Sequence, residues 1–431
     1  MFEKINKITI KLTTYCNLAC EYCHQLTTDK VKSQKFSDYQ GLYDFLLKIP
    51  FEPEVEVTLT GGEISLIPEE YEKAFKVFRK LNRKIETKFE FAVVSNGTNV
   101  DQLLEFIEKR MLKAIKTTIS WDGLYTSSLS RRPKSKEFND EFFKEQLKKI
   151  GKSPYGEQIC ISHAITPETV MHIPKSVEWM IENGLKNFGF YYIHEANYHN
   201  TEFVKNFDTM CEELGALFVK NFNDDEKRFK YFNWQLLFAK ISDDLSPTAM
   251  VANTSCHKLG RSLHFDPFGD IYGCIYFGDH RALKLGELKH AALQKKATNK
   301  FITDYVQAVS CKIEKCENSH CYECPAANYV HNGGMQNRMA NTCHLLSIEK
   351  RVFNKYFKTF REEQINKNNK WLVSMYFNEK DHENASKEIE YYEKIREFPE
   401  ESMMADYEMT DEVTQQSPVI NHIKNWMDNE H

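Results

Sequence analysis

The chain has 431 residues, a hydrophobic fraction of 41%, a charged fraction of 28% and a formal net charge of −5. These values are ordinary for a globular protein, and no run approaches the ~18 apolar residues that a membrane span needs. The length predicts two or three domains, because one hydrophobic core rarely serves so long a chain. The absence of a concentrated basic stripe argues against nucleic-acid binding. No signal peptide is visible, so we expect a cytoplasmic protein.

Six apolar, strand-like runs alternate with amphipathic helical segments in the first half of the chain. The predicted strands are 7–13, 55–60, 89–95, 114–120, 157–165 and 188–194. The predicted helices between them are 38–49, 69–83, 100–110, 138–150 and 173–183. This alternation is typical of a parallel sheet, and six repeats predict an α/β fold with a partial (β/α)6 barrel of the TIM type. Functional residues are then expected at the carboxyl ends of the strands.

Ten of the twelve cysteines fall in two groups. In a cytoplasmic protein, clustered cysteines bind metal more often than they form disulfides. The first group follows the first predicted strand at C-x3-C-x2-C spacing and comprises Cys16, Cys20 and Cys23. Three thiolates can hold three irons of a 4Fe-4S cubane and leave the fourth iron open for chemistry. The alternative is a zinc site in which the imidazole of His24 joins the three thiolates.

The cysteine spacing resembles the motif of the radical S-adenosylmethionine (SAM) enzymes. In that family SAM chelates the open iron of a 4Fe-4S cluster, and the reduced cluster cleaves SAM to a 5'-deoxyadenosyl radical. Three further segments resemble family motifs at the ends of the second, third and fourth predicted strands: GGE at 61–63, SNG at 95–97 and S-x-D-G at 120–123. GGE and SNG are also common turn sequences by themselves. Four motifs in this order at four successive strand ends indicate one site.

The resemblance implies a role toward SAM for each motif. Tyr22 would lie against the adenine, the GGE motif would receive the amino group, and the SNG motif would lie near the ribose and the methionine part. An arginine after the fourth strand would approach the SAM carboxylate. The cofactor-binding residues implied in this way are Tyr22, Gly61, Gly62, Glu63, Ser95, Asn96, Ser120, Asp122, Arg131 and Arg132.

The second cysteine group opens with C-x12-G-x4-C spacing. It comprises Cys256, Cys274, Cys311, Cys316, Cys321, Cys324 and Cys343. This group resembles the SPASM extension, which carries auxiliary iron-sulfur clusters in peptide-modifying radical SAM enzymes. The later spacing departs from the family pattern, which leaves the sharing of ligands open. By order, Cys256, Cys274 and Cys324 would hold one auxiliary 4Fe-4S cluster and the other four cysteines a second, while a zinc ribbon is the alternative.

These patterns predict four regions. Residues 1–199 form the barrel, 200–250 a helical bridge with apolar spacing at 203–218 and 231–241, 251–350 a small cysteine-rich α+β domain, and 351–431 a C-terminal helical region. A hairpin is predicted at 263–272 and a helix at 344–363. Residues 396–431 carry nine acidic and two basic side chains, which is typical of a solvated tail.

The resemblance also implies the reaction class. The radical would remove a hydrogen atom from an unactivated carbon, and an electron donor such as flavodoxin or ferredoxin would reduce the SAM-binding cluster. SPASM members mostly act on peptides, and the sulfatase-maturing branch places a carboxylate after the second SPASM cysteine. Here Ile275 follows Cys274, and Asp279 is the first acid after it. We therefore favour the cross-linking of a ribosomally made precursor peptide (a RiPP), through a C–C or thioether bond.

The sequence offers three candidates for the catalytic acid or base. Glu195 and His194 follow the sixth predicted strand, and Asp279 follows the second cysteine of the later group, so these three are the candidates. The first predicted strand begins almost at Met1, so we expect the leader peptide to be recognised by the bridge, the C-terminal region or a separate protein. Two alternatives remain: the same radical chemistry on a sulfatase serine or a small alcohol, or a zinc-binding interaction protein without catalysis.

Overall fold

The computed structural model describes most of the first 220 residues and parts of the remainder. The described residues are 4–23, 25, 32–109, 116–124, 136–156, 159–193, 198–221, 227, 230–231, 261–278, 283–308, 325–335, 344–345, 347–349, 351–353 and 355–356.

Six strands form a continuous parallel sheet in the order of the chain. They are β1 Ile5–Lys11, β2 Phe51–Thr60, β3 Lys88–Ser95, β4 Lys116–Ser120, β5 Cys160–Ile165 and β6 Asn187–Tyr192. Each strand pairs in parallel with the next one. All six overlap the strands predicted for them, so the mostly parallel α/β sheet expected of a partial barrel is confirmed.

Amphipathic helices connect these strands. They are α1 Tyr39–Leu46, α2 Pro68–Leu81, α3 Val100–Lys109, α4 Asp140–Lys152, α5 Ile173–Glu182 and α6 Thr201–Asn221. The side chains of Asp38 and Asn139 cap α1 and α4 by accepting backbone N–H bonds at 2.8 and 3.0 Å. Pro68 opens α2, where a missing N–H costs nothing. Local capping therefore sets where these helices begin.

The two faces of the sheet differ in chemistry. On the outer face, Phe89 and Phe91 of β3 contact Phe78 and Phe75 of α2, with ring centroids 4.9 and 4.1 Å apart. The inner face carries polar residues in register across β1 and β2, namely Lys7 with Glu56, Thr9 with Thr58 and Lys11 with Thr60. Burial of the apolar face against the helices stabilises the sheet, and the polar face is left to line the barrel interior.

The sheet extends beyond the six predicted strands on both sides. Its further strands are β7 Lys230–Tyr231, β8 Ser262–Phe265, β9 Asp270–Tyr272, β10 Gly286–Glu287 and β11 Ala292–Leu293. β7 lies parallel to β6, β8 lies parallel to β1, and β9 to β11 continue the sheet in antiparallel pairs. β8 and β9 form the predicted hairpin. The predicted domains 1–199 and 251–350 therefore share one sheet.

The predicted helix at 231–241 is wrong at its first residue, because Tyr231 pairs with Phe188 of β6 in the sheet. Apolar spacing suggested a helix there, but pairing with the sheet edge decides the conformation of Tyr231, and aromatic residues favour such positions. Residues 232–241 lie outside the described part of the chain.

Later helical segments contact the turn after β9 and helix α6. α7 is Lys295–Ala308, α8 is Pro325–Asn332, and the described residues between 344 and 356 are helical, as predicted. Tyr356 packs so closely on α6 that a Cβ at Gly215 would lie 2.4 Å from its ring. Glu349 accepts a hydrogen bond from the hydroxyl of Tyr192 at 2.8 Å. Among the helices described, none has the length and apolar character that a membrane crossing requires.

Candidate active site

β1 leads directly into the loop that carries the first cysteine group. The N–H of Thr14 donates to the carbonyl of Gln34 at 3.0 Å, and the N–H of Phe36 donates to that of Leu12 at 2.9 Å. Residues 34–36, which follow the cysteine loop, therefore pair with residues 12–14, which precede it, at the carboxyl end of β1. Both ends of this cysteine loop are fixed at the edge of the barrel where functional residues were expected.

The three thiols of the loop differ in their environment. Cys16 is buried, Cys20 is half-buried and Cys23 is exposed. Burial raises the pKa of Cys16 to about 12, although the N–H of Leu18, 3.4 Å from Sγ, acts in the opposite direction. A thiol with so high a pKa stays protonated at neutral pH unless a metal cation stabilises its thiolate. Burial therefore argues against Cys16 as a free thiolate nucleophile.

The donor set, three thiols on one loop, fits a 4Fe-4S cubane. Within the described residues, no three His, Cys, Asp or Glu side chains are grouped as the ligands of one metal ion. In a cubane each thiolate binds a different iron, so the three ligands need not converge on one point. His24, the extra ligand of the zinc alternative, lies outside the described residues.

The two glycines after β2 pack against the start of the cysteine loop. The N–H groups of Gly62 and Glu63 donate to the carbonyls of Thr13 and Tyr15 at 2.8 and 2.7 Å. A Cβ at Gly62 would lie 2.0 Å from the carbonyl oxygen of Tyr15, so no other residue fits without displacing the loop. The GGE motif therefore ties the loop to the end of β2.

Glu63 joins the ends of β2 and β3. Its side chain is 1% exposed, and its Oε1 accepts from the N–H of Ser65 at 2.9 Å and from the hydroxyl of Ser95 at 2.8 Å. Its Oε2 accepts from the N–H of Asn96 at 2.5 Å. A buried carboxylate needs such donors, and it has about four acceptor positions, so three protein donors leave room for one ligand donor.

A side-chain network then links β3 to the first cysteine. Nδ2 of Asn96 donates to Oδ1 of Asn17 at 2.9 Å and lies 3.6 Å from Sγ of Cys16. Nδ2 of Asn17 donates to the hydroxyl of Thr98 at 2.9 Å. Asn17 and Thr98 were not among the predicted site residues. Asn17 directly follows Cys16 and Thr98 directly follows the SNG segment, and this proximity to the motifs could have indicated both residues.

On the far side of the mouth, Tyr22 contacts the ends of β4 and β6. Its hydroxyl donates to Oδ2 of Asp122 at 2.5 Å, and Oδ1 of Asp122 accepts from the N–H of Ala164 at 3.1 Å. The ring of Tyr22 meets that of Tyr191 edge-on, with centroids 6.4 Å apart. Ser120 ends β4, in register with Ser162 of β5. The cysteine loop thus spans the mouth from β1 to β4.

Two charged residues at the mouth were missed by the sequence analysis. Lys11 ends β1 and is only 7% exposed, and Asp266 follows β8, the neighbouring strand. Burial raises the pKa of Asp266 to about 6, while the N–H of Asp270, the N–H of Phe268 and the charge of Lys11 act to lower it. The pairing of β8 with β1 that brings these two together joins segments about 250 residues apart, which local sequence patterns do not report.

Several predicted site residues lie outside the described part of the chain. They are His194, Glu195, Asp279, Arg131, Arg132, Cys256, Cys311, Cys316, Cys321, Cys324 and Cys343. Cys274 is described: it is half-buried and precedes the short helical turn Ile275–Phe277 after β9. The site therefore unites the first cysteine group with the GGE, SNG and S-x-D-G motifs, and the arrangement of the second cysteine group stays a prediction.

A parallel partial barrel with a three-cysteine loop fixed at its carboxyl edge is the architecture of a radical SAM domain. Residues 10–144 match the model of the Radical SAM superfamily. The chain therefore carries a radical SAM domain and is an enzyme.

Known proteins resemble this chain over larger parts of its length. It is 23% identical over 266 residues to the "Uncharacterized protein MJ0907" of Methanocaldococcus jannaschii, which covers 59% of this chain and 89% of that protein. The structure of anSMEcpe with bound AdoMet and Cp18Cys peptide superposes with a TM-score of 0.59 at 18% identity, covering 84% of this chain and 98% of that chain. SuiB of Streptococcus suis gives a TM-score of 0.52 at 13% identity, covering 77% and 76%. These structural likenesses establish the fold.

Proposed function

We propose that the chain is a radical SAM enzyme of the SPASM type that cross-links a ribosomally synthesised precursor peptide through a C–C or thioether bond. The observation that carries this proposal is the cysteine loop, which is fixed to the ends of β2, β3 and β4 by the three other motifs. When bound, the cluster and SAM supply a 5'-deoxyadenosyl radical that removes a hydrogen atom from an unactivated carbon. The protein supplies binding, orientation and the exclusion of water.

Each motif has a part in holding the cofactors. Cys16, Cys20 and Cys23 provide the thiolates for the SAM-binding cluster. The backbone of the GGE motif and the remaining acceptor position of Glu63 receive the SAM amino group, which is a charge-assisted contact. The other proposed cofactor contacts are Tyr22, Ser95, Asn96, Ser120, Asp122 and either Arg131 or Arg132.

A peptide substrate is supported by the side chains at the mouth. Tyr191 is 39% exposed on the inner face of β6 beside Tyr22, which gives an extended chain an aromatic surface to pack on. Lys11 and Asp266 are two buried charged groups on the opposite side of the mouth. The structural relative anSMEcpe, which shares this fold, was solved with both AdoMet and a peptide bound.

The later cysteines provide an electron sink in this proposal. Cys256, Cys274 and Cys324 would hold one auxiliary 4Fe-4S cluster, and Cys311, Cys316, Cys321 and Cys343 the second, so that a substrate radical can lose an electron after bond formation. His194, Glu195 and Asp279 are the proposed sources of the acid or base. A flavodoxin or ferredoxin would deliver the reducing electron.

The test has two stages. The anaerobic, dithionite-reduced protein is first mixed with SAM, and 5'-deoxyadenosine is measured by chromatography; wild type forms it and the Cys23→Ala variant does not. The chain is then co-expressed with each small peptide encoded beside its gene, and the peptides are sequenced by mass spectrometry. A cross-link between side chains supports the proposal. A carbonyl that reacts with a hydrazide would indicate formylglycine formation instead, and an unmodified set of peptides together with no 5'-deoxyadenosine would contradict the proposal.

A further inference from the structure

Asn96 connects the end of β3 to the first cysteine. Its side-chain amide nitrogen lies 3.6 Å from Sγ of Cys16 and 2.9 Å from Oδ1 of Asn17. Its backbone N–H donates to the buried carboxylate of Glu63 at 2.5 Å. The backbone of Asn96 is thus fixed by β2, while its side chain points to the cysteine loop.

Thr98 holds the amide of Asn96 in one orientation. The N–H of Thr98 donates to Oδ1 of Asn96 at 2.9 Å, and the hydroxyl of Thr98 donates to the same oxygen at 2.7 Å. Because two donors meet Oδ1, the NH2 group must be the side that faces Cys16, which settles the assignment of oxygen and nitrogen in this amide. Asn17 closes the network by donating to the hydroxyl of Thr98 at 2.9 Å.

We propose that Asn96 is a positioning residue that orients Cys16 and, through its amide hydrogen bond to the sulfur, raises the reduction potential of the cluster held by the cysteine loop. This inference rests on the proposed function, because it concerns the SAM-binding cluster. A donor to a ligand sulfur stabilises the reduced cluster more than the oxidised one, since the reduced cluster carries more negative charge. Cys16 is 6% exposed, so little water competes with this hydrogen bond.

The Cys16 sulfur also accepts from the N–H of Leu18 at 3.4 Å, but that donor belongs to the loop itself. The amide of Asn96 comes from a different strand and therefore couples the loop position to the barrel. It is also the donor that a substitution can remove without altering the backbone. Asn96 thus offers a direct test of what a hydrogen bond from the barrel does to the cluster.

The experiment compares Asn96→Ala with the matched control Asn99→Ala in the cluster-loaded, full-length chain. Asn99 is the same residue type three positions away, and its amide donates to the carbonyl of Ser65 at 3.3 Å. The midpoint potential of the SAM-binding cluster is measured by a redox titration followed by electron paramagnetic resonance, and iron is counted in the same samples. In Asn96→Ala the ratio of reduced to oxidised cluster at one fixed potential falls roughly fivefold, the scale expected for one lost hydrogen bond, while Asn99→Ala matches wild type.

Thr98 provides a second pair of variants in case Asn96→Ala loses the cluster. Thr98→Val keeps the amide of Asn96 but removes the hydroxyl that holds it, so we expect a smaller shift in the same direction; Thr98→Ser restores the hydroxyl and the wild-type potential. If Asn96→Ala or Thr98→Val keeps its full iron content and has the same midpoint potential as Asn99→Ala, the inference is overturned while the proposed function stands. A wild-type chain that binds no iron overturns the proposed function as well, so the two failures are distinguishable.

Discussion

The hydroxyl of Tyr22 donates a hydrogen bond to Oδ2 of Asp122 at 2.5 Å across a sequence separation of 100 residues. Asp122 is fully buried and its other oxygen accepts from the N–H of Ala164. One carboxylate therefore joins the cysteine loop, the end of β4 and the end of β5. Gly62 and Glu63 fix the cysteine loop on one side of the mouth, and this hydrogen bond fixes it on the other side.

Replacing Tyr22 by Phe keeps the ring but removes the hydroxyl, so a charged hydrogen bond at the mouth is lost. We expect the free energy of unfolding to fall by about 2 kcal/mol, the scale for a hydrogen bond to a charged group. Tyr191→Phe is the control, because its ring also lies at the mouth and contacts that of Tyr22. Urea unfolding of both variants measures the difference, and equal stabilities would show that the Tyr22 hydroxyl does not support the loop.

Gly62→Ala tests the close approach of the GGE motif to the loop. A Cβ there would lie 2.0 Å from the carbonyl oxygen of Tyr15, so the loop must shift and we expect iron binding by the first cysteine group to be lost. Gly278→Ala is the control, since the nearest atom to its Cβ would be 3.4 Å away, an ordinary contact. Iron content of the anaerobic proteins gives the readout. A Gly62→Ala chain with wild-type iron content contradicts the role given to this turn.

Glu63→Gln replaces an acceptor oxygen by an NH2 group that faces protein donors. At least one of the three donors, from Ser65, Ser95 or Asn96, then loses its acceptor in a buried setting, which costs about 2 kcal/mol of stability. Glu69→Gln is the comparison, because Glu69 is exposed and pairs with Lys35, so its loss should cost under about 1 kcal/mol. Chemical denaturation of the two variants should therefore separate them clearly; similar losses would argue that the buried network contributes little.

His163 predicts a specific loss of stability in acid. It is fully buried within β5, where burial lowers its pKa from 6.5 to about 4. Below pH 6.5 the unfolded chain binds a proton that the folded chain does not, so the stability due to neutral His163 is present above that pH and is lost as the pH falls toward 4. The difference is about 3 kcal/mol at full effect.

His163→Asn isolates this contribution, because its amide can still donate to the carbonyl of Gly189, which lies 3.2 Å from Nδ1 in the wild type. Unfolding free energies of wild type and variant are measured from pH 7 to pH 4. We expect wild type to lose stability relative to the variant over this interval. Parallel curves would show that His163 does not carry this pH dependence. Asp266 acts in the opposite sense, since its raised pKa favours the folded state as the pH falls from about 6, and it is common to both proteins.

Local patterns predicted the six parallel strands and the helices between them because the periods of 2 and 3.6 residues depend only on neighbouring positions in the chain. Short motifs at strand ends also predicted Glu63 and Asp122 as site residues; both lie at the carboxyl ends of strands, and their role toward a cofactor stays a prediction. Thr98 and Lys11 were missed because their importance comes from partners on other strands. Tyr231 was assigned to a helix from the apolar spacing of residues 231–241, and that spacing does not reveal that Tyr231 pairs with the edge strand β6.

The central claim is tested most directly by the metal and acid-labile sulfide content of the anaerobically purified wild type and of a variant in which Cys16, Cys20 and Cys23 are all replaced by Ala. We predict about 12 irons per chain for three 4Fe-4S clusters, falling by about four in the variant. The acid-labile sulfide should fall in parallel. A variant that keeps all its iron, or a wild type that binds zinc in place of iron, would contradict the assignment of the cysteine loop as the SAM-binding cluster site.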